Sequence, residues 1–458
     1  MKFNKKMESA KFLFVVFFLS SMGIQAQQRS YSLKECINYA TTYNGDLKNA
    51  QTDVLISKKK ITEQVGTYLP QITASSDFAD NLKLPVQLVP AGLFGGTPGT
   101  YLPLTLGTKY SWTSGVQLSQ SVYNPAFSTN LKSAKLNKTL SEQSQVLTKE
   151  QIMYNVSVAY YNSLVIQKQY NTLKTTLESS AQSLKILELK LNNGMAKKID
   201  VDKVRVSYNN TKSHMQQMEL SHTQSINTLK YRMGMPIDST LTLADINMDL
   251  ATNQDLASSS NNEGQFENRI DFQMKETNLH LQENAKKQSL AAFFPTFSLY
   301  GNFNYNAMQE DLKFFQSSSN WFSSSTIGIR LSVPIFDGLQ KQSKVAVAKL
   351  NVEKGKENLL MAEQSIKLDI ANYDTEFKNA IDNIKNEKEN LDLAESVYKE
   401  TQLQYKQGMS TSLELVQTES SLLEAQNNYF NKLLDLYIAR INLEKSKGTL
   451  IKFINNQF

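Results

Sequence analysis

The sequence predicts a mainly α-helical fold that also carries four β-strands of membrane-crossing length, built as a β-β-α unit written twice. Three observations predict it. No proline lies between Pro125 and Pro236 or after Pro334, and the last 121 of the 458 residues hold only Gly338, Gly355, Gly408 and Gly448. Stretches so free of breakers form long helices. The chain also repeats itself: Asp46 and Pro70 match Asp271 and Pro295 at an offset of 225, while Val122-Tyr123-Asn124 matches Ile335-Phe336-Asp337 at 213 and Leu189–Met195 matches Leu403–Met409 at 214. A repeat on this scale fixes the architecture before any local motif does. Finally, Ile327, Ile329, Leu331, Val333 and Ile335 alternate with Thr326, Gly328, Arg330, Ser332 and Pro334, the period of a strand with one apolar and one polar face.

Taken in chain order, Lys2, Lys5, Lys6 and Lys11 precede the apolar run Phe12–Leu19 and a small-residue ending at Ala26, the pattern of a secretory signal over residues 1–26. Removing it takes away four lysines and one glutamate and lowers the formal net charge from +6 to +3. A nearly neutral exported chain has no electrostatic footprint for nucleic acid. Cys36 is the single cysteine, which excludes a disulfide framework and a Cys-rich metal site, and a buried thiol at a helix start is its expected place. The first repeat, residues 27–234, opens with a helix, then strands at about 71–82 and 108–123, where Ile72, Ala74 and Phe78 and then Trp112, Val116, Leu118 and Val122 alternate with polar residues. A Gly/Pro-rich stretch, Lys83–Gly107, joins them. Long helices follow at 124–193 and 197–234. The second repeat, residues 266–448, has a helix, strands at about 296–307 and 324–336, and helices at 337–407 and 411–448; residues 235–265 link the repeats and 449–458 form a tail.

Asn124–Asn193 and Gly338–Gln407 are 70 residues each, roughly 105 Å as continuous helix. The return helices explain how such lengths are stable. Leu415, Leu422, Tyr429, Leu436 and Leu443 recur every seven residues, as do Val201, Tyr208, Met215, His222 and Leu229. A seven-residue apolar stripe is the seam of a coiled coil. Nowhere after the leader do 18 consecutive apolar residues occur, so a membrane helix is not expected. Four strands cannot close a barrel alone, and a membrane tolerates no open sheet edge. Three chains would supply twelve strands, apolar side chains outward and Ser, Thr and Asn inward, continued by an α-helical coiled-coil barrel. That arrangement conducts.

These residues resemble the TolC family of outer-membrane efflux proteins. The likeness runs from Tyr31-Ser32-Leu33-Lys34-Glu35-Cys36-Ile37 to about Gly448, and includes Tyr68-Leu69-Pro70, Phe293-Phe294-Pro295, Val333–Gly338, and a Gly-x(5)-Asp/Glu pattern at Gly194–Asp200 and Gly408–Glu414. The resemblance implies a homotrimer with a 12-stranded outer-membrane β-barrel in outer-membrane lipid and a periplasmic tunnel closed at its tip. It further implies a periplasmic adaptor (membrane fusion) protein and, through it, an inner-membrane pump, as in multidrug export or type I secretion. Residues 235–265 would lie in the equatorial region. No cofactor is implied, and the protein would not be an enzyme. By position, Tyr405 matches a gate tyrosine, Glu414 an inward acidic ring and Asp200 its first-repeat partner; Ser410 stands where some members place arginine and Gln417 where they have a second acid. Gly194-Met195 and Gly408-Met409 would be the tips an adaptor touches.

Several of these positions have a plainer explanation. Thr411-Ser412-Leu413-Glu414 fits a capping box, and Asp200 suits the first turn of a helix by its dipole. The Gly-Met pairs fit helix C-caps. His214, Met218 and His222 share a helical spacing that could present soft-metal ligands, but His222 belongs to the heptad stripe. The competing architectures are a periplasmic adaptor, which should carry one hairpin in a β-rich domain, and a coiled-coil surface protein, which would lack the Ile327–Ile335 alternation.

Overall fold

The structure, a computed structural model, describes residues 30–244, 266–316 and 321–457, so the expected leader and most of the expected 235–265 linker lie outside the described residues. In chain order it contains β1 (Ser30–Tyr31), α1 (Leu33–Tyr43), α2 (Gly45–Gly66), β2 (Gln71–Asp80), β3 (Val86–Pro90), β4 (Tyr101–Thr105), β5 (Tyr110–Tyr123), α3 (Pro125–Asn192), α4 (Lys198–Met233) and β6 (Thr242–Leu243). The second part contains α5 (Ile270–Ala291), β7 (Thr296–Gln309), β8 (Trp321–Ser332), α6 (Gln340–Gln407), α7 (Ser412–Ser446) and α8 (Leu450–Gln457). The chain divides into two compact units, one made of residues 49–146 and 270–364 and the other of residues 1–48, 147–269 and 365–458.

The first of these units holds a four-stranded antiparallel sheet in the order β2-β5-β7-β8, with β2 and β8 as its edges. The register places whole rows on one face. Ile72, Leu118, Gly301 and Ile327 stand in line, and the next row is Thr73, Gln117, Asn302 and Thr326. Successive side chains of a strand point to opposite faces, so one face of the sheet is apolar and the other polar. The apolar face is bare: Ile72, Phe303, Ile327 and Ile329 are all exposed. At one end of it Phe78, Trp112, Ala307 and Trp321 form a row, and Phe314 from the β7–β8 connection packs edge-on against Phe78, Trp112 and Trp321.

Near the opposite end the sheet is tied to its helices. The Tyr68 hydroxyl donates to the Val122 carbonyl, and the Tyr68 ring stacks on Phe127 at 4.3 Å. Helix α5 is fastened to α3 by Asn284 Nδ2, which donates to Thr129 O and Ser133 Oγ at 2.7 Å each, and by Gln288 Nε2, which donates to Asn130 Oδ1 at 2.6 Å.

The other unit is helical around two apolar clusters, the larger of which joins several helices and the smaller of which lies near the α3–α4 and α6–α7 turns. Leu33, Cys36 and Ala40 of α1, Met153, Val156 and Tyr160 of α3, Leu229 and Met233 of α4, and Leu436 and Leu443 of α7 are buried together. Burial pushes the Cys36 thiol up to about 12, with the Glu35 charge adding to it, so it is inert. Between α1 and α2 the chain bends at Asn44, whose Nδ2 donates to Arg232 O and whose Oδ1 accepts from Asp46 N. Gly234 ends α4 with φ +73° against this bend, where a Cβ would lie 2.9 Å from Asn44 Cα. Both heptad stripes are inward-facing: Val201 and Leu229, like Leu415, Leu422, Leu436 and Leu443, are buried, and the members between are half-buried.

The structure corrects five details. The Lys83–Gly107 stretch is not plain loop but holds the β3–β4 hairpin, because Val86–Pro90 pairs in register with Tyr101–Thr105 around a short 3-10 turn. The fourth strand stops at Ser332 rather than 336, just before Pro334, which has no N–H to give a ladder. A bulge between Ser121 and Tyr123 takes the apolar row from Val122 to Tyr123, which pairs with Phe297. Residues 450–457 of the expected tail are helical, with Leu450 and Ile454 in the core, and residues 242–243 of the linker pair in parallel with Ser30–Tyr31.

Leu443→Ala should destabilise the helical unit by about 2–5 kcal/mol, because it empties a fully enclosed site, whereas Leu413→Ala, at a 60% exposed position, should change stability little. Denaturant melts of helical circular dichroism compare the two directly; equal losses would contradict the burial described.

Candidate functional site

The sharpest turns of the helical unit join α3 to α4 and α6 to α7, and both are built the same way. At Gly194 (φ +72°) the amide of Met195 donates to Lys190 O at 2.8 Å, and at Gly408 (φ +81°) the amide of Met409 donates to Gln404 O at 2.9 Å. These six-to-one bonds close a left-handed helix cap that favours glycine. They leave Met195 and Met409 72% and 70% exposed, with Ile199 and Leu413 exposed beside them.

Beneath the turns the expected gate residues converge in part. Ser412 Oγ donates to Asp200 Oδ1 at 2.7 Å, tying the start of α7 to the start of α4. Asp200 sits in the first turn of α4, whose N-cap residue Lys197 makes no side-chain cap bond. Tyr405 is buried beside Leu187, Val201, Val204 and Leu415, with Lys190 Nζ 5.6 Å above its ring. Burial, and secondarily the charge of Asp200, raises the Tyr405 hydroxyl above its ordinary range. Lys190 Nζ also reaches Lys406 O at 3.5 Å, so one cation bridges the end of α3 to that of α6.

Glu414 makes the capping box. Its Oε2 accepts from Thr411 N at 2.8 Å and from Ser410 Oγ at 2.7 Å, and its own amide donates to Thr411 Oγ1 at 3.2 Å. The Thr411 amide, then the Ser410 hydroxyl, then the Thr411 hydroxyl hold its carboxyl below the usual range. Ser410 is thus part of the cap. Gln417, one turn on, is exposed.

A further acid escaped the sequence argument. Glu419 is 2% exposed, with Oε2 accepting from Ser207 Oγ at 3.1 Å and Oε1 buried without a hydrogen-bond partner among the described residues. Burial raises its carboxyl above the ordinary range against the opposing hydroxyls of Ser180, Ser207 and Thr211. The signal was present in the spacing: Ser412, Leu415, Glu419, Leu422 and Gln426 follow one 3-4 helical row, all buried. Of the three soft-ligand candidates, His214 is exposed, Met218 is half-buried, and His222 stacks on Tyr170 at 6.0 Å with its pKa lowered by burial. Among the described residues no group of three or more His, Cys, Asp or Glu side chains is placed to hold a metal ion.

A family model described as outer membrane efflux protein matches residues 37–235 and 266–449. The outer membrane protein TolC of Vibrio cholerae is 19% identical over 339 residues, 74% of this chain and 77% of that protein. A probable efflux pump outer membrane protein of Pseudomonas putida, TtgC, is 20% identical over 430 residues, 91% of this chain and 83% of the relative. Among solved structures, CusC superposes with a TM-score of 0.71 at 18% identity over 91% of both chains, and the outer membrane protein VceC of Vibrio cholerae with 0.69 at 15% over 91% of this chain and 96% of that one. The fold is therefore that of these channels.

The buried Glu419 carboxyl sets a pH dependence with a definite sign. Because its pKa is raised in the folded state, its contribution to stability is present below the ordinary carboxyl value and is lost as pH rises through the raised one. Glu419→Gln should therefore be more heat-stable than the parent protein at pH 8, with the gap closing toward pH 4. Melting curves across that range check it; parallel profiles would show that the carboxyl is not held in a desolvated site.

Proposed function

We propose a function from one premise: the chain belongs to the outer membrane efflux protein family, the TolC family. It is an outer-membrane protein of the efflux channel type. In our account it is a passive channel-tunnel, a homotrimer that carries substrates from a periplasmic adaptor and an inner-membrane pump to the exterior, in a tripartite efflux or type I secretion system. The observation that carries this is the sheet. It has two free edges, β2 and β8, which a membrane does not tolerate in a single chain, and an uncovered apolar face suited to contact with lipid. In the sheet β8 runs opposite to β2, so β8 of one protomer can continue the ladder onto β2 of the next, and three copies give an even, closed set of twelve. Its polar face then lines the lumen with Thr73, Gln117, Asn302 and Thr326, suited to passage rather than to tight binding.

The periplasmic entrance is set by the paired helix turns. Asp200 with Ser412, and Lys190 with Tyr405 and Lys406, tie the first-repeat hairpin to the second, which supports a closed resting arrangement held within each protomer. Glu414 caps α7 and, in a trimer, three copies would form an acidic ring at the mouth; the like-charge repulsion of a ring acts against the downward pull of the cap. Met195 and Met409 offer the adaptor two equivalent apolar tips. Catalysis has no part in this account, since the pump supplies the energy.

Asp200→Ala removes the acceptor of the Ser412 hydroxyl. Losing about 1 kcal/mol of closing interaction should raise the open population roughly fivefold. Planar-bilayer conductance of the purified protein reads this. An unchanged conductance would mean that the Asp200–Ser412 contact is packing and not a latch.

A further inference from the structure

The end of the sheet that meets the helices carries a charge pattern that conduction does not use. Residues 125–141 hold three lysines and no carboxylate, as do residues 338–352; residues 284–295 hold two lysines and none, and residues 54–70 three lysines and one glutamate. These four segments are the helix ends adjoining β2, β5, β7 and β8. Together they form a collar of eleven lysines against one glutamate, flanked by Asp53, Glu142, Glu283, Asp337 and Glu353, of which Glu142 pairs with Lys138 at 2.8 Å and Asp337 with Lys341 at 3.5 Å. Lys132, Lys135, Lys287 and Lys344 are exposed and have no carboxylate partner among the described residues.

Within this collar lies a groove of about 260 Å³ lined by Tyr123, Pro125, Leu290, Ala291 and Phe294, with Lys287 among its lining residues. Tyr123 belongs to the apolar face of the sheet, because the bulge before it returns its ring to the row of Phe297, 6.3 Å away. The groove is therefore continuous with the surface that meets the acyl chains. Its apolar wall has room for part of one chain, and its cation stands where strands give way to helices, at headgroup depth.

We infer that this groove and its lysine collar bind an anionic phospholipid of the periplasmic leaflet, the acyl and glycerol portion against Tyr123, Leu290 and Phe294 and the phosphate at Lys287. The inference rests on the outer-membrane setting above and is independent of the gate. Juxtamembrane lysines attract anionic headgroups by about 1 kcal/mol each, which amounts to a fivefold preference per lysine. A zwitterionic headgroup brings no net charge to the collar and should gain far less. A neighbouring protomer is the competing occupant.

The test uses the delipidated protein in detergent, titrated with phosphatidylglycerol or phosphatidylcholine and read by native mass spectrometry, which reports the oligomer and its bound lipid together. Phosphatidylglycerol should be retained preferentially, and Lys287→Gln should weaken that retention about fivefold while leaving the oligomer and its conductance unchanged. Equal retention of the two lipids, or no effect of Lys287→Gln, overturns the inference. A Leu290→Cys variant separates the occupants: its thiol should react with a maleimide in the lipid-free oligomer and be protected by phosphatidylglycerol. A thiol already unreactive without lipid means that a second copy fills the groove, which also overturns the inference. Should the spectrum show monomers, the channel account fails by itself, and lipid retention is still scored on the single chain.

Discussion

The structure depends on one constraint, that no strand in a bilayer can leave its edge amides and carbonyls unpaired. Each edge of the sheet, β2 and β8, presents a row of such groups, and its apolar face presents isoleucines and phenylalanines to whatever surrounds it. In water this would be an aggregation hazard; at a membrane it calls for closure by identical copies. The twofold repeat serves that end. Each repeat supplies two strands of this sheet, so a chain brings an even number, and the antiparallel ladder can run from one protomer into the next without a mismatch of direction.

The helical unit answers a different constraint. Helices of 68 residues such as α3 and α6 gain little from intrinsic propensity and are held by their seams. The seam of α7 is not uniformly apolar. Ser412, Glu419 and Gln426 interrupt Leu415 and Leu422, and each polar member is buried. Burying a carboxyl costs stability that a leucine would not, so this row is weaker than a pure apolar stripe. A weaker seam near the turns is consistent with the proposed entrance, which must open there. Bonds from Ser412 to Asp200 and from Lys190 to Lys406 hold the α7 hairpin close to the turns, and bonds from Ser207 to Glu419, Gln402 to Ser179 and Gln169 to Asn427 hold it further along.

The fold class was legible because period two and period seven are both strong in this sequence: the row of Ile327, Ile329 and Leu331 and the stripe of Leu415, Leu422 and Leu436 carry it almost alone. The bulge at Ser121–Tyr123 was not legible, since Val122 and Tyr123 are both apolar enough to sit on either face and only pairing with Phe297 decides. Nor was the β3–β4 hairpin, where prolines at positions 85, 90 and 103 read as breakers until a partner strand satisfies the backbone around them. At the turns, the Glu414 capping box could be read from four residues, but the Ser412–Asp200 bond spans 212 positions and needs the packed helices. Glu419 was overlooked for a related reason: an acid in a heptad looks solvated until three hydroxyls from other helices close around it.

Closure by copies is the central claim, and the mass of the particle extracted from isolated outer membranes tests it most directly. Light scattering corrected for bound detergent should give three chains per particle, the number that turns four strands each into a closed barrel. A stable single chain, or a protein recovered only from the soluble periplasm, would leave the edges of β2 and β8 open and contradict the account.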